Sequence, residues 1–134
     1  MNVKLSSNKD LYFTKDHEWI DFQGTVAYTG VCSFKLIGFK EIHEIVFHEP
    51  LGFKKQGEVI ATIKYGDYQI IAHMPVDGKV IQINNDVLHE KPNVLLQYTK
   101  SSGWIALIVP SQPFERKELL TSKQYQMNGK KYAK

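Results

Sequence analysis

Only one of the 134 residues is a cysteine, Cys32. An internal disulfide is impossible, and a reducing compartment, the cytoplasm, is the expected location. Long apolar runs are also missing. None approaches the ~20 residues that a bilayer-spanning helix needs, so no membrane partner is expected. The opening stretch, Met1 to Ser7, has no apolar core of signal-peptide length. Proline and glycine number only 5 and 9, which excludes collagen-like and low-complexity chains. Neither sign of charge dominates. Seventeen basic against 14 acidic side chains leave +3, too small an excess to point to nucleic acid. Glycine-rich phosphate loops and serine-hydrolase elbows are absent as well. What is present is a hydrophobic fraction of 43%, enough for one domain with its own core, expected as a monomer.

The hydrophobic pattern is that of short strands. Residues 1–10 are polar and aperiodic and read as a flexible arm. Trp19 to Phe22 and Thr25 to Thr29 flank Gln23-Gly24 as a hairpin, with Gly30 as its end. Ser33 can cap a short helix over 33–41, with Phe34, Ile37 and Ile42 as its apolar stripe. Ile45 to Glu49, Glu58 to Lys64, Gln69 to His73 and Lys79 to Ile83 read as further strands. Leu88 to Tyr98 reads as loop and short strand. Trp104 to Val109 is a nearly continuous apolar strand suited to burial on both faces, with Ile105, Leu107 and Val109 on the core side. After Pro110 the pattern turns helical, with a helix from Ser111 to Leu120, and Thr121 and Gln124 stand at capping-box spacing. The domain is drawn as 11–125, followed by a flexible basic tail, 126–134. The fold class is mainly β, a small sandwich or barrel with helical additions.

Three groups of residues invite a chemical reading. His43-Glu44 and His48-Glu49 resemble metal pairs, but their histidines are five apart on a strand and face opposite ways. Cys32 lacks any base fixed beside it by spacing and reads as a buried structural thiol. Lys54, Lys55, Lys64 and Lys79 interleave with Phe53, Tyr65 and Tyr68, as on a single-strand-binding face, but Glu58, Asp67 and Asp77 dilute them, so no nucleic-acid partner is expected and a nucleic-acid-binding module stands as an alternative only. The hairpin from Thr62 to Ile71 stands out. Tyr65-Gly66-Asp67-Tyr68 forms a tight tip of type II′, because Gly66 takes positive φ without a Cβ clash. Tyr65, Gly66 and Tyr68 are therefore candidate contacts for a partner.

Larger fragments then fall into order: Leu11 to Trp19 with its Lys15-Asp16-His17-Glu18-Trp19 core, Glu44 to Phe47, the Gly57 turn, Met74-Pro75-Val76-Asp77-Gly78, and Gly103-Trp104-Ile105. This set resembles the glycine cleavage system H protein family from about Leu11 to Tyr125. The resemblance implies a lipoyl/biotinyl-carrier barrel-sandwich hybrid and a carrier, not an enzyme. Lipoate would be joined by an amide to a lysine at a hairpin tip, and the partners would be glycine-cleavage or lipoate-handling enzymes. The family's lysine stands eight residues before the proline of the Pro-Val-x-Gly turn, and here that residue is Asp67. The glutamate and serine that precede it correspond to Lys64 and Tyr65. A carboxylate cannot form the amide, so no cofactor is expected. Lipoate would enter only if Lys64 served as a displaced acceptor. Lys64 and Asp67 are instead expected to pair across the turn. The family's usual acidity is absent here too.

Overall fold

The computed structural model describes residues 11–49, 51–96 and 103–132. The arm expected over residues 1–10 lies outside them. Among the described residues ten strands form: β1 (Tyr12–Phe13), β2 (Glu18–Gln23), β3 (Val26–Val31), β4 (Glu44–Phe47), β5 (Gly52–Lys54), β6 (Val59–Tyr65), β7 (Tyr68–His73), β8 (Gly78–Ile83), β9 (Ala106–Pro110) and β10 (Leu120–Thr121). Two helices accompany them, α1 (Asn85–Glu90) and α2 (Ser122–Tyr132). One sheet runs β10-β1-β2-β3-β9-β8-β5 and the other β4-β6-β7. Every pairing is antiparallel. The mainly β barrel-sandwich expected from the sequence is the architecture observed.

Period-two alternation explains the layering. On the larger sheet Ile20, Ala27, Ala106 and Ile108 face the main core, which Ile60, Ile63 and Ala72 of the smaller sheet close from the other side. Their neighbours Trp19, Tyr28 and Leu107 face outward into a second cluster with Leu11, Phe13, Cys32 and Tyr125. The larger sheet is thus apolar on both faces at its centre, as the continuous run around Leu107 implied. The core-facing set differs from the one expected, however. Ala106 and Ile108, not Leu107 or Val109, are the fully buried apolar residues of β9. Of the expected set Ile105, just before the strand, is in the main core, and the alternation runs from Ala106 rather than from Ile105.

Several local expectations are corrected. Gly30 does not end β3, which runs through Val31. Opposite it lies Trp19, whose indole a Cβ at position 30 would meet at 2.7 Å. The helix over 33–41 is a single 3-10 turn, Ser33–Leu36. Leu36 is buried there, whereas Phe34 and Ile37 are exposed. Ile37 is already extended and Gly38 has φ of 91°, which a continuing helix cannot use. The Leu88–Tyr98 stretch carries α1 and a 3-10 turn, Pro92–Leu96, in place of a strand; residues 97 and 98 lie outside the described set. Leu88 is the reason on the core side, buried in the main cluster.

Between Ser111 and Leu119 no helix forms. Arg116 bonds back to the Pro113 carbonyl at 2.6 Å and lies over the Phe22 ring at 3.4 Å, and Leu119 enters the core. The helix comes later, at the capping box. The Thr121 N–H donates to Gln124 Oε1 at 2.9 Å and the Gln124 N–H to Thr121 Oγ1 at 3.2 Å. From there α2 reaches Tyr132, so regular structure continues past the 125/126 boundary drawn from the sequence.

Candidate functional site

The tip of the β6–β7 hairpin is the first candidate. Tyr65 pairs with Tyr68, leaving Gly66 and Asp67 as a two-residue turn. Gly66 has φ of 57° and Asp67 has no positive φ, the pattern of the expected type II′ turn. Tyr65 and Tyr68 share the inward side of the hairpin with Ile63 and Ile70. Exposure along that side climbs from 0% at Ile63 to 70% at Tyr68. The hairpin therefore runs beyond the core and carries its tip into solvent.

The two tyrosines part company there. The Tyr65 ring folds back against Phe39 at 5.7 Å and His43 at 5.1 Å. Tyr65 is thus engaged inside the fold, while Tyr68, Gly66 and Asp67 are exposed. His43 is the residue that holds the turn. Its N–H donates to the Lys64 carbonyl at 2.8 Å. The Gly66 N–H donates to His43 Nδ1 at 2.9 Å, and His43 Nε2 lies 3.0 Å from Glu41 Oε1. An Nδ1 that accepts leaves the ring proton on Nε2, so Nε2–H donates to Glu41.

Lys64 does not pair with Asp67. Its register sets it opposite Glu44 on β4 and Gln69 on β7, and its amine lies 3.9 Å from Glu44 Oε1. Asp67 lies in the turn, outside that register. His48 sits at the other end of β4, bonded to Thr62 Oγ1 at 2.8 Å, so the two histidines do not converge. Lys54, one of the basic residues of the interleaved set, is buried and donates to the His48 carbonyl at 3.1 Å.

A second cluster was not legible in residue spacing. Glu18, 1% exposed, accepts from Thr14 Oγ1 at 2.9 Å, from the His73 N–H at 3.1 Å and from the Lys35 ammonium. His73 Nδ1 lies 2.9 Å from the same Glu18 oxygen. Ligand atoms of Asp16, Glu18 and His73 lie within 4.8 Å of one another, a set that a cation could span. Here the Lys35 ammonium serves as the counter-cation. The partners come from β2, the 3-10 turn and β7, 17 and 55 residues apart, so no sequence signal joins them.

Beside it, His17 takes φ of 64° and places Nδ1 2.9 Å from the Tyr125 hydroxyl. Burial, then the nearby Lys35 charge, hold the His17 imidazole below its ordinary range. Burial, then Cys32, push the Tyr125 phenol above its own. Cys32 is buried, as expected of a structural thiol, and its described neighbours are His17 and Tyr125 rather than His43.

Among the described residues no helix is long and apolar enough to cross a membrane. The family model for the glycine cleavage H-protein matches residues 11–132. A glycine cleavage system H protein of Halothermothrix orenii is 31% identical over 120 residues, covering 87% of this chain and 91% of its own. The glycine cleavage system H protein 4 of Aquifex aeolicus is 29% identical over 119 residues, covering 87% and 67%. Among solved structures, a glycine cleavage system H protein of Mycobacterium marinum superposes with a TM-score of 0.73 at 22% identity, covering 90% of this chain and 98% of that one.

Proposed function

The chain belongs to the glycine cleavage H-protein family, carriers rather than enzymes, and from that premise we propose that it is a member that docks partner proteins through its hairpin tip without carrying lipoate. The observation behind this reading is the residue at the turn. Asp67 is exposed at the tip of a projecting hairpin, the kind of place from which the family's lysine presents its arm. A carboxylate there cannot attack an activated acyl group, so the tip does not fit lipoate. The exposed surface left to a partner is Tyr68 with Gly66 and Asp67. Its partners are of the class that handles the family's tip, glycine-cleavage or lipoate-handling enzymes, met in the cytoplasm by a monomer.

A second reading, lipoylation of Lys64, draws on one observation. The Lys64 side chain is 42% exposed and its only described ion-pair partner, Glu44, is 3.9 Å away. Such a pair holds an amine loosely. One experiment separates the two. The protein is produced with an active lipoate ligase and lipoate supplied, and its intact mass is measured. The unmodified mass is expected, and a quantitative lipoyl adduct mapped to Lys64 would replace the docking reading by the carrier one. Binding of the purified glycine-cleavage enzymes to the wild type and to Tyr68→Ala then tests the docking surface, with weaker binding expected for the variant.

A further inference from the structure

We propose that His43 is a proton-operated latch on the hairpin turn. Its bearing on a partner rests on the tip being the docking surface, whereas the latch itself rests on three hydrogen bonds. The neutral ring accepts the Gly66 N–H at Nδ1, 2.9 Å away, and presents Nε2 to Glu41 at 3.0 Å. A proton from solvent added at Nδ1 converts the acceptor into a donor. Two N–H groups then face each other across the same gap, and the bond to the turn is lost. The bond to Glu41 gains charge, so the ring stays with Glu41 and the turn is the side that yields.

The release is local. The bond from the His43 N–H to the Lys64 carbonyl uses no ring atom, and the Glu44–Lys64 register holds β4 to β6 up to that point. What lies beyond Lys64 is Tyr65, Gly66, Asp67 and Tyr68, closed by one Tyr65–Tyr68 pair. Tyr65 is packed against the same imidazole at 5.1 Å and against Phe39 at 5.7 Å, contacts that protonation does not remove, so the release is confined to Gly66, Asp67 and Tyr68.

Charged groups of both signs surround the ring. They are Glu41 and Glu44 on its own segment, Asp67 in the turn and Lys64 on β6. Tyr65 offers its ring, and His89 of α1 lines the same cavity as His43.

The experiment is amide hydrogen exchange and ring titration by NMR on the full chain, at about pH 8 and about pH 5, with rates corrected for the intrinsic pH dependence. The Gly66 amide is expected to lose protection by about fivefold at low pH, the equivalent of one net hydrogen bond. Its midpoint should coincide with that of the His43 ring, and the Ile63 amide should not change. His43→Asn, which keeps an acceptor near the Nδ1 position but cannot titrate, should stay protected at both pH values. His43→Phe, a ring without an acceptor, should be unprotected at both. Constant Gly66 protection while the His43 ring titrates would overturn the latch. So would full protection in His43→Phe, or a parallel loss at Ile63, which would make the change global. None of these measurements uses a partner, so the latch can fail while Tyr68 docking stands, and the reverse.

Discussion

The Glu18 cluster and the hairpin tip are both polar, and both join residues far apart in the chain, yet they are built to opposite specifications. Around Glu18 a carboxylate with 1% exposure has partners on both oxygens, drawn from the loop after β1, the 3-10 turn and β7. At the tip an exposed turn is held to the body by one imidazole. Burial raises the cost of losing any single partner, because an unpaired group there has no water to turn to. Exposure lowers that cost, so the tip can change state or sequence with little effect on folding. The contrast separates a place that fixes the fold from a place left free to meet something else.

The hardest test of the contrast is Glu18→Ala. It leaves the Lys35 ammonium, 13% exposed, without its counter-ion and the His73 N–H without its acceptor. A loss of about 3–5 kcal/mol is expected in urea denaturation followed by tryptophan fluorescence. A loss below about 1 kcal/mol would mean that the cluster relaxes into water and that the two regions are alike. The matching change at the tip is Gly66→Ala. No atom lies within 4 Å of the added Cβ, so its cost comes only from φ of 57°. About 1–2 kcal/mol is expected, with exchange rates altered in the hairpin and nowhere else.

Acid sharpens the comparison through His17, which borders the cluster. Its folded value lies below the ordinary 6.5. On acidification the unfolded chain takes up the proton first, so stability is full above pH 6.5 and declines from there toward the lower folded value. A urea midpoint that falls with pH in that window, and falls less in His17→Gln, is the expected result. The smallest effect on folding belongs to Asp67→Lys. Stability should stay within about ±0.5 kcal/mol, while a general lipoate ligase should now modify the protein at least in part. A folded variant that gains no lipoyl mass would show that the tip has diverged in more than its acceptor.

Much of the scaffold could be read from the chain. Alternation gave the strands from Trp19 to Ile83, Gly66 marked the turn, and Thr121 with Gln124 marked the start of α2. These signals are local, and their physics acts over two to four residues. Elements with weak local preference were misread. The segment after Ser111 carries helical spacing, but Arg116 is drawn over Phe22 and Leu119 into the core. Ser33 to Glu41 carries the stripe of Phe34, Ile37 and Ile42, but of these three Ile42 alone is buried. The tip itself was legible as a turn with two tyrosines. The part played by His43 was not, because 23 residues separate it from Gly66.

By itself the sequence determined the fold class, the family and the chemical identity of the tip. Strand periodicity, turn glycines and the order of short motifs are written in neighbouring residues, and a carboxylate at position 67 has the same chemistry in any conformation. Tertiary structure alone decided which charges are matched. Lys64 meets Glu44 rather than Asp67, because β4 lies beside β6 and Asp67 lies in the turn, outside that register. Lys35 and His73 meet Glu18 because a 3-10 turn and the end of β7 converge on β2. Electrostatic pairing depends on distance in space over a few ångströms, and for these residues chain separation carries no information about that distance.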